Sequence, residues 1–110
     1  MNDIFSVVYA PKAKKDLREI YIYISSNLLA PLTAKNQVNR IRSMIRSLDS
    51  FPSRYPIVDW EPWKSMGMHR VPVDNYAIFY TVDNQNLLVT IIRIVYSGRD
   101  IASIALEVNE

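Results

Sequence analysis

His69-Arg70-Val71-Pro72-Val73-Asp74-Asn75-Tyr76-Ala77-Ile78-Phe79-Tyr80-Thr81-Val82 is followed by Asp83-Asn84-Gln85-Asn86, then by Leu87 to Tyr96 and Ser97-Gly98-Arg99-Asp100. The stretch contains three runs rich in β-branched and aromatic residues, which predicts strands over Met68–Val73, Tyr76–Val82 and Leu87–Tyr96. Asp74-Asn75 and Asp83 to Asn86 supply the turns, since Asp and Asn tolerate left-handed backbone geometry. Links this short require antiparallel neighbours. Arginine sits at 70, at 93 and just past the last run at 99. An arginine within a strand is costly unless it is used.

Upstream, Ile4 to Tyr9 reads as a first strand, ended by Ala10-Pro11. Proline suits the first helical position, where its missing N–H has no partner anyway. A helix is expected from Pro11 to Leu28, with Ala13, Leu17, Ile20, Tyr21, Ile24 and Leu28 on one apolar stripe. Asn27 to Pro31 breaks it. A second helix is expected from a Thr33 N-cap, with Ala34, Val38, Ile41, Ile45 and Leu48 as a narrow apolar seam. The order is β-α-α-β-β-β: an α+β fold in which a helical hairpin packs on an antiparallel sheet. The core should gather Leu17, Ile20, Ile24, Val38, Ile41, Ile45, Ile78 or Phe79, and Ile92.

Between helix two and the strands, Ser50 to Lys64 carries Pro52, Pro56 and Pro62 with Phe51, Tyr55, Trp60 and Trp63. Prolines exclude a long regular element. The aromatics anchor this connection over the core edge, or they form a recognition loop. Ile101 to Val108 reads as a short helix or an ordered tail.

A length of 110 residues fits a single domain, 1–110, with one core. Net charge is +2, but its distribution is lopsided. Between Pro11 and Leu48, eight Lys/Arg (Lys12, Lys14, Lys15, Arg18, Lys35, Arg40, Arg42, Arg46) face two acids, Asp16 and Glu19. That segment carries +6 and the remainder −4. It makes either a surface for a polyanion or acidic partner, or two ordinarily solvated helix faces. Without cysteine and with one histidine, no zinc site can be assembled, and no cofactor is implied. Cysteine-free composition is compatible with a reducing cytoplasm, the expected location. Neither a signal peptide nor a membrane span is expected.

Catalytic chemistry has few candidates. There is no Gly-x-Ser-x-Gly turn and, with two glycines, no phosphate-cradling loop. Asp59 and Glu61 lie in the aromatic-proline connection and read as solvated. His69 could act as an acid or base, but a lone strand histidine is more often a pairing residue, and Arg70 points to the opposite sheet face. Strict alternation puts Arg93 with Val89, Ile91 and Val95. It then lies on the outer face or is buried against an acid such as Asp100, a structural ion pair. Arg99 follows Ser97-Gly98 at an exposed strand exit, a good place for a contact residue.

Three segments carry a family resemblance: Tyr9-Ala10-Pro11-Lys12-Ala13-Lys14-Lys15-Asp16-Leu17, Arg70 to Tyr80, and Ile91-Ile92-Arg93-Ile94-Val95-Tyr96-Ser97-Gly98-Arg99-Asp100. In this order and length the chain resembles the RelE/ParE family of toxins from type II toxin–antitoxin (plasmid stabilisation) modules. The resemblance implies a cognate antitoxin partner and divides by mechanism. RelE-like members are ribosome-dependent endoribonucleases that cut mRNA, with an arginine after the aromatic that opens the second strand of the C-terminal sheet half. Here Ala77 stands at that place, and the tail after Asp100 offers no Tyr, His or Arg. Arg70, Tyr96 and Arg99 are what remain for an RNase. ParE-like members poison DNA gyrase by binding it, which implies target contacts at Arg99 and Arg70 and no enzymatic activity. A non-toxic binding module of the same fold is a third reading.

Overall fold

In the computed structural model, which describes residues 3–108, the three C-terminal runs form β2 (His69–Val73), β3 (Tyr76–Asp83) and β4 (Leu88–Tyr96). Each is antiparallel to the next, with Val71 opposite Ile78 and Ile78 opposite Ile94. Asp74 makes the first turn at φ +54. In the second, the Asp83 carboxylate accepts hydrogen bonds from the Gln85 and Asn86 backbone N–H groups, both 3.1 Å. The Asn86 side-chain amide, donating at 2.8 Å, and then these backbone bonds hold its pKa down. The N-terminal strand, β1, is shorter than expected at Ser6–Tyr9 and lies parallel to β4. The sheet is therefore mixed, ordered β1-β4-β3-β2, rather than wholly antiparallel. Hydrophobic alternation carries no strand direction, and a long connection allows either sense.

Helix α1 spans Pro11–Ile22 and continues as a π-helical turn over Tyr23–Asn27. The wider turn shows in Leu28 N–H, which bonds to the Tyr23 carbonyl five residues back at 3.1 Å. Ala13, Leu17, Ile20 and Ile24 are buried, whereas Tyr21 and Leu28 are exposed. Leu29, at φ +53, ends the run. Helix α2 spans Pro31–Ser47 with Ala30, not Thr33, at the N-cap position. Proline at the first helical position starts the helix two residues ahead of the hydroxyl. The seam Ala34, Val38, Ile41, Ile45 and Leu48 is buried throughout. Past its end, Arg54 donates to the Ser47 and Phe51 carbonyls, setting a cation against the negative end of the helix.

Both sheet faces are covered. On one, α1 and α2 pack Leu17, Ile20, Ile24, Val38, Ile41 and Ile45 against Val71, Ile78, Tyr80, Val89, Ile91 and Ile94. On the other, Ala77, Phe79 and Val95 lie in a second cluster with Trp63, Met68 and α3 (Ile101–Val108), which contributes Ile101, Ile104 and Ala105. The 50–64 connection therefore packs through its tryptophans. Trp63 is fully buried, 4.6 Å from Phe79 between ring centroids, and Trp60 meets Phe79 edge-on at 6.5 Å. Phe51 instead remains exposed.

A β-bulge makes the largest departure from strict alternation. Phe79 pairs Arg93 while Tyr80 pairs Ile91, so Ile92 is extra. Val89, Ile91 and Ile94 then face the helices and Val95 faces Trp63. Ile92 is partly buried against the second cluster, not in the helix-side core. Arg93, beside the bulge, is buried and paired to Asp16 of α1, with Nε–Oδ2 2.7 Å and Nη2–Oδ1 3.0 Å. The Ile94 N–H adds a third bond to the same carboxylate at 2.9 Å. The structural ion pair is present, with α1 supplying the acid. Among the described residues no helix is long and apolar enough to cross a membrane.

Candidate functional site

The residues singled out from the sequence do not converge. Arg70, on edge strand β2, is half-buried and lies over the Phe79 ring at 5.8 Å. That is a cation–π contact which also holds the side chain against the sheet. Tyr96 and Arg99 lie beyond the other end of the pairing, where Ser97 N–H bonds to the Asn75 carbonyl. Arg99 is exposed, and its N–H closes a turn onto the Tyr96 carbonyl at 3.1 Å. A Cβ at Gly98 would come within 2.4 Å of the exposed Tyr96 ring, which would have to shift to admit it. Asp100 caps the following helix, accepting from Ser103 Oγ at 2.8 Å.

Tyr96 takes part in an aromatic groove of about 620 Å³ between α1, the π turn and the sheet end, with Tyr23, Leu28 and Tyr76. Tyr76 and Tyr96 meet edge-on at 6.0 Å. Burial, together with the neighbouring Tyr23 and Tyr96 phenols, pushes the Tyr76 hydroxyl upward in pKa. It therefore stays protonated and is a hydrogen-bond donor rather than a base at neutral pH.

His69 is a packing residue. Its ring stacks on Tyr80 at 5.1 Å and 14°, and Nδ1 lies 2.7 Å from the Tyr55 carbonyl. A carbonyl only accepts, so Nδ1 carries the proton. Tyr80 in turn donates to the Pro52 carbonyl at 2.6 Å. Burial keeps that phenol protonated far above the ordinary range. The histidine and tyrosine thus pin the 50–57 connection to the sheet.

Ala77 is fully buried, in the cluster with Trp63, Ile104 and Ala105. Among the described residues no group of three His, Cys, Asp or Glu could hold a metal ion.

The sequence reading treated the helix cations as one charge total. The structure divides them. Arg40 bonds Asp74 at 2.7 Å and Lys15 approaches Glu19 at 3.9 Å. Lys14, Arg18 and Arg42 instead line a groove of about 470 Å³ along the α1–α2 seam, with Tyr9, Leu17, Tyr21 and Val38. Its signal was in the spacing: 14, 17, 18 and 21 share one helical stripe, and 38 and 42 are one turn apart.

The fold recurs among solved toxins. The toxin of the chromosomal ParDE system of P. aeruginosa superposes with a TM-score of 0.69 at 21% identity, covering 86% of this chain and 97% of that one. The RelBE2 toxin–antitoxin complex of Mycobacterium tuberculosis matches with a TM-score of 0.61 at 16% identity over 87% and 94% of the two chains. The RelE–RelB complex of Pyrococcus horikoshii OT3 matches with a TM-score of 0.61 at 16% identity over 87% and 98%. No curated protein matches the sequence significantly. The model of the ParE toxin of type II toxin–antitoxin systems, parDE, matches residues 7–101, and the chain belongs to that family.

Proposed function

We propose that this protein is neutralised by a cognate antitoxin and acts as a ParE-like inhibitor of DNA gyrase, without RNase activity. The carrying observation is the burial of Ala77 beneath Trp63 and α3. An RNase of this fold would place an arginine there, against the scissile phosphate. Here a methyl group fills the position, and it can neither stabilise a pentacoordinate phosphate nor move a proton. The separation of Arg70 from Arg99 supports the same reading, since catalysis needs its groups gathered. An antitoxin partner agrees with the solved relatives, which come from ParDE and RelBE toxin–antitoxin systems.

Arg99 is the foremost target-contact residue, with Arg70 second. Arg99 is exposed and offers a guanidinium fork to an acidic or phosphate surface. Expression in bacteria with separate readouts for translation and DNA damage tests the assignment. Growth arrest with filamentation and DNA-damage signalling is expected, with mRNA intact. Arg99→Ala should weaken toxicity while changing stability by no more than about 0.5 kcal/mol, as for an ordinary surface residue. Codon-positioned mRNA cuts that vanish in Arg99→Ala or Arg70→Ala would establish the RNase reading instead.

A further inference from the structure

The aromatic groove at the end of the sheet has the chemistry of a cation receptor. Tyr23 comes from the π turn, Tyr76 from the start of β3 and Tyr96 from the end of β4. Tyr23 and Tyr96 are exposed and Tyr76 is half-buried, so the rings line the groove within reach of solvent. The faces of such rings carry negative potential. Asp16 and Glu19 add carboxylates to the lining, and among the described residues no lysine or arginine lines it. Asp16 is spent on Arg93, whereas Glu19 meets Lys15 in an exposed contact of 3.9 Å, which contributes little. The π turn also brings the negative end of the first helix to this groove. Neither α1 nor the π turn has a basic residue in its last turn to offset that end. The chain is net basic, yet this recess is negative where the helix seam, with Lys14, Arg18 and Arg42, is positive. Single π turns inside helices are frequent at functional sites, and here the wide turn places Tyr23 and Leu28 on the groove.

We propose that this groove receives a lysine or arginine side chain of the protein that the toxin acts on, an inference that rests on the target-binding reading above. A long basic side chain is apolar along its stem and charged at its tip. The stem would lie along Ile20, Ile24 and Leu28, which also line the groove, and the tip over the tyrosine rings. Glu19 supplies the counter-charge, and the hydroxyls of Thr33 and the tyrosines offer acceptors for the N–H groups. The groove is continuous with Arg99, whose N–H bonds to the Tyr96 carbonyl. Arg99 then meets an acidic group of the target and the groove a basic one. Two contacts of opposite sign fix an orientation that a single charge cannot. A phosphate backbone would meet negative charge here, so nucleic acid does not fit.

The first arm of the test uses the full chain and N-acetyl-arginine amide as probe, with N-acetyl-citrulline amide, its neutral isostere, as control. In an NMR titration the tyrosine ring signals should shift saturably with the arginine probe. The citrulline probe should bind about tenfold more weakly or worse, since a neutral group gains no cation–π attraction. Tyr23→Leu/Tyr96→Leu should lose the arginine binding, and Tyr23→Phe/Tyr96→Phe should restore most of it, because phenylalanine keeps the ring face. Both positions are exposed, and circular dichroism melts check that each variant folds. The second arm measures binding to purified DNA gyrase. The leucine pair should weaken it about tenfold or more, and the phenylalanine pair should recover it to within about threefold of wild type. Equal binding of the two small probes, or binding of neither, overturns the cation receptor. Arginine binding with gyrase held equally by wild type and the leucine pair overturns its role in target contact. No gyrase binding by wild type, with the arginine probe still seated on the tyrosines, overturns the target reading and leaves the cation site standing. Loss of affinity for the protein encoded beside this chain in the leucine pair, with gyrase binding unchanged, overturns the proposal and gives the groove to the antitoxin.

Discussion

One face of the sheet lies under two amphipathic helices and the other under an irregular aromatic connection and a short helix. The helix side is regular. Its contacts repeat every three or four residues along Leu17, Ile20 and Ile24, and again along Val38, Ile41 and Ile45. The Trp63 side is assembled from segments far apart in the chain, at 58–68, 77–79, 95 and 101–105. Its two tryptophans bury large areas, yet neither indole N–H has a hydrogen-bond partner among the described residues. The difference concerns function as much as packing. The irregular face surrounds Ala77, the residue on which the proposed non-nuclease reading rests.

If both faces belong to one cooperative unit, damage to either should unfold the whole molecule. Trp63→Ala should cost roughly 3–5 kcal/mol in urea unfolding, and Ile41→Ala on the opposite face roughly 2–5 kcal/mol. Tryptophan fluorescence and circular dichroism should give coincident transitions for the Ile41 variant. Separate transitions would divide the molecule at the sheet. The Asp16–Arg93 pair ties α1 to the bulged strand between those faces. Asp16→Ala takes the carboxylate away from a buried guanidinium and should cost about 3–5 kcal/mol, whereas Asp16→Leu/Arg93→Met should recover most of it. A double variant no more stable than Asp16→Ala would show that the ion pair, not the filling of space, holds α1 in place.

The smallest expected effect lies at the β2–β3 turn. Hydrogen bonds from Arg40 and then Gln37, at 2.7 and 2.8 Å, hold the Asp74 carboxyl below its ordinary 3.8. A group with a depressed folded-state pKa contributes stability above its unfolded pKa and loses it as pH falls through the folded one. Asp74→Asn keeps the left-handed turn, which asparagine tolerates. Wild type and Asp74→Asn should therefore differ in melting temperature at pH 6, and the gap should begin to close only as pH falls below about 3.8 towards the lower folded-state pKa. Because the carboxylate is half-exposed, the gap should be small and salt-sensitive. A gap unchanged at pH 2.5 would mean that the charge plays no part.

How far the molecule could be read from its residues follows the same two faces. Periodicity located all four strands and both long helices, and it named most of the helix-side core, because each of those signals is local. It misplaced Ile92 and the faces around Arg93, since a bulge is one inserted residue without a composition mark. It could not give β1 a direction or choose the acid for Arg93, because both depend on residues some eighty positions apart. The exposure of Arg99 was legible because a turn precedes it. The seam cations were present in the sequence, but only the pairing of Lys15 and Arg40 elsewhere separates Lys14, Arg18 and Arg42 from the rest.

The parallel seat of β1 on β4 also sets an order in time. Ser6 pairs Leu88, and Asp16 meets Arg93 across 77 residues of chain. At translation speeds of about 5–20 residues per second, the first strand and helix leave the ribosome roughly 4–15 s before their partners exist. Pairings this distant close late, since the entropy of a long loop must be overcome first. During that interval β1 has no strand to join and α1 has no arginine to seat. The assembled surface that carries Arg99 therefore arises only once β4 is made, the last of the four strands to be synthesised.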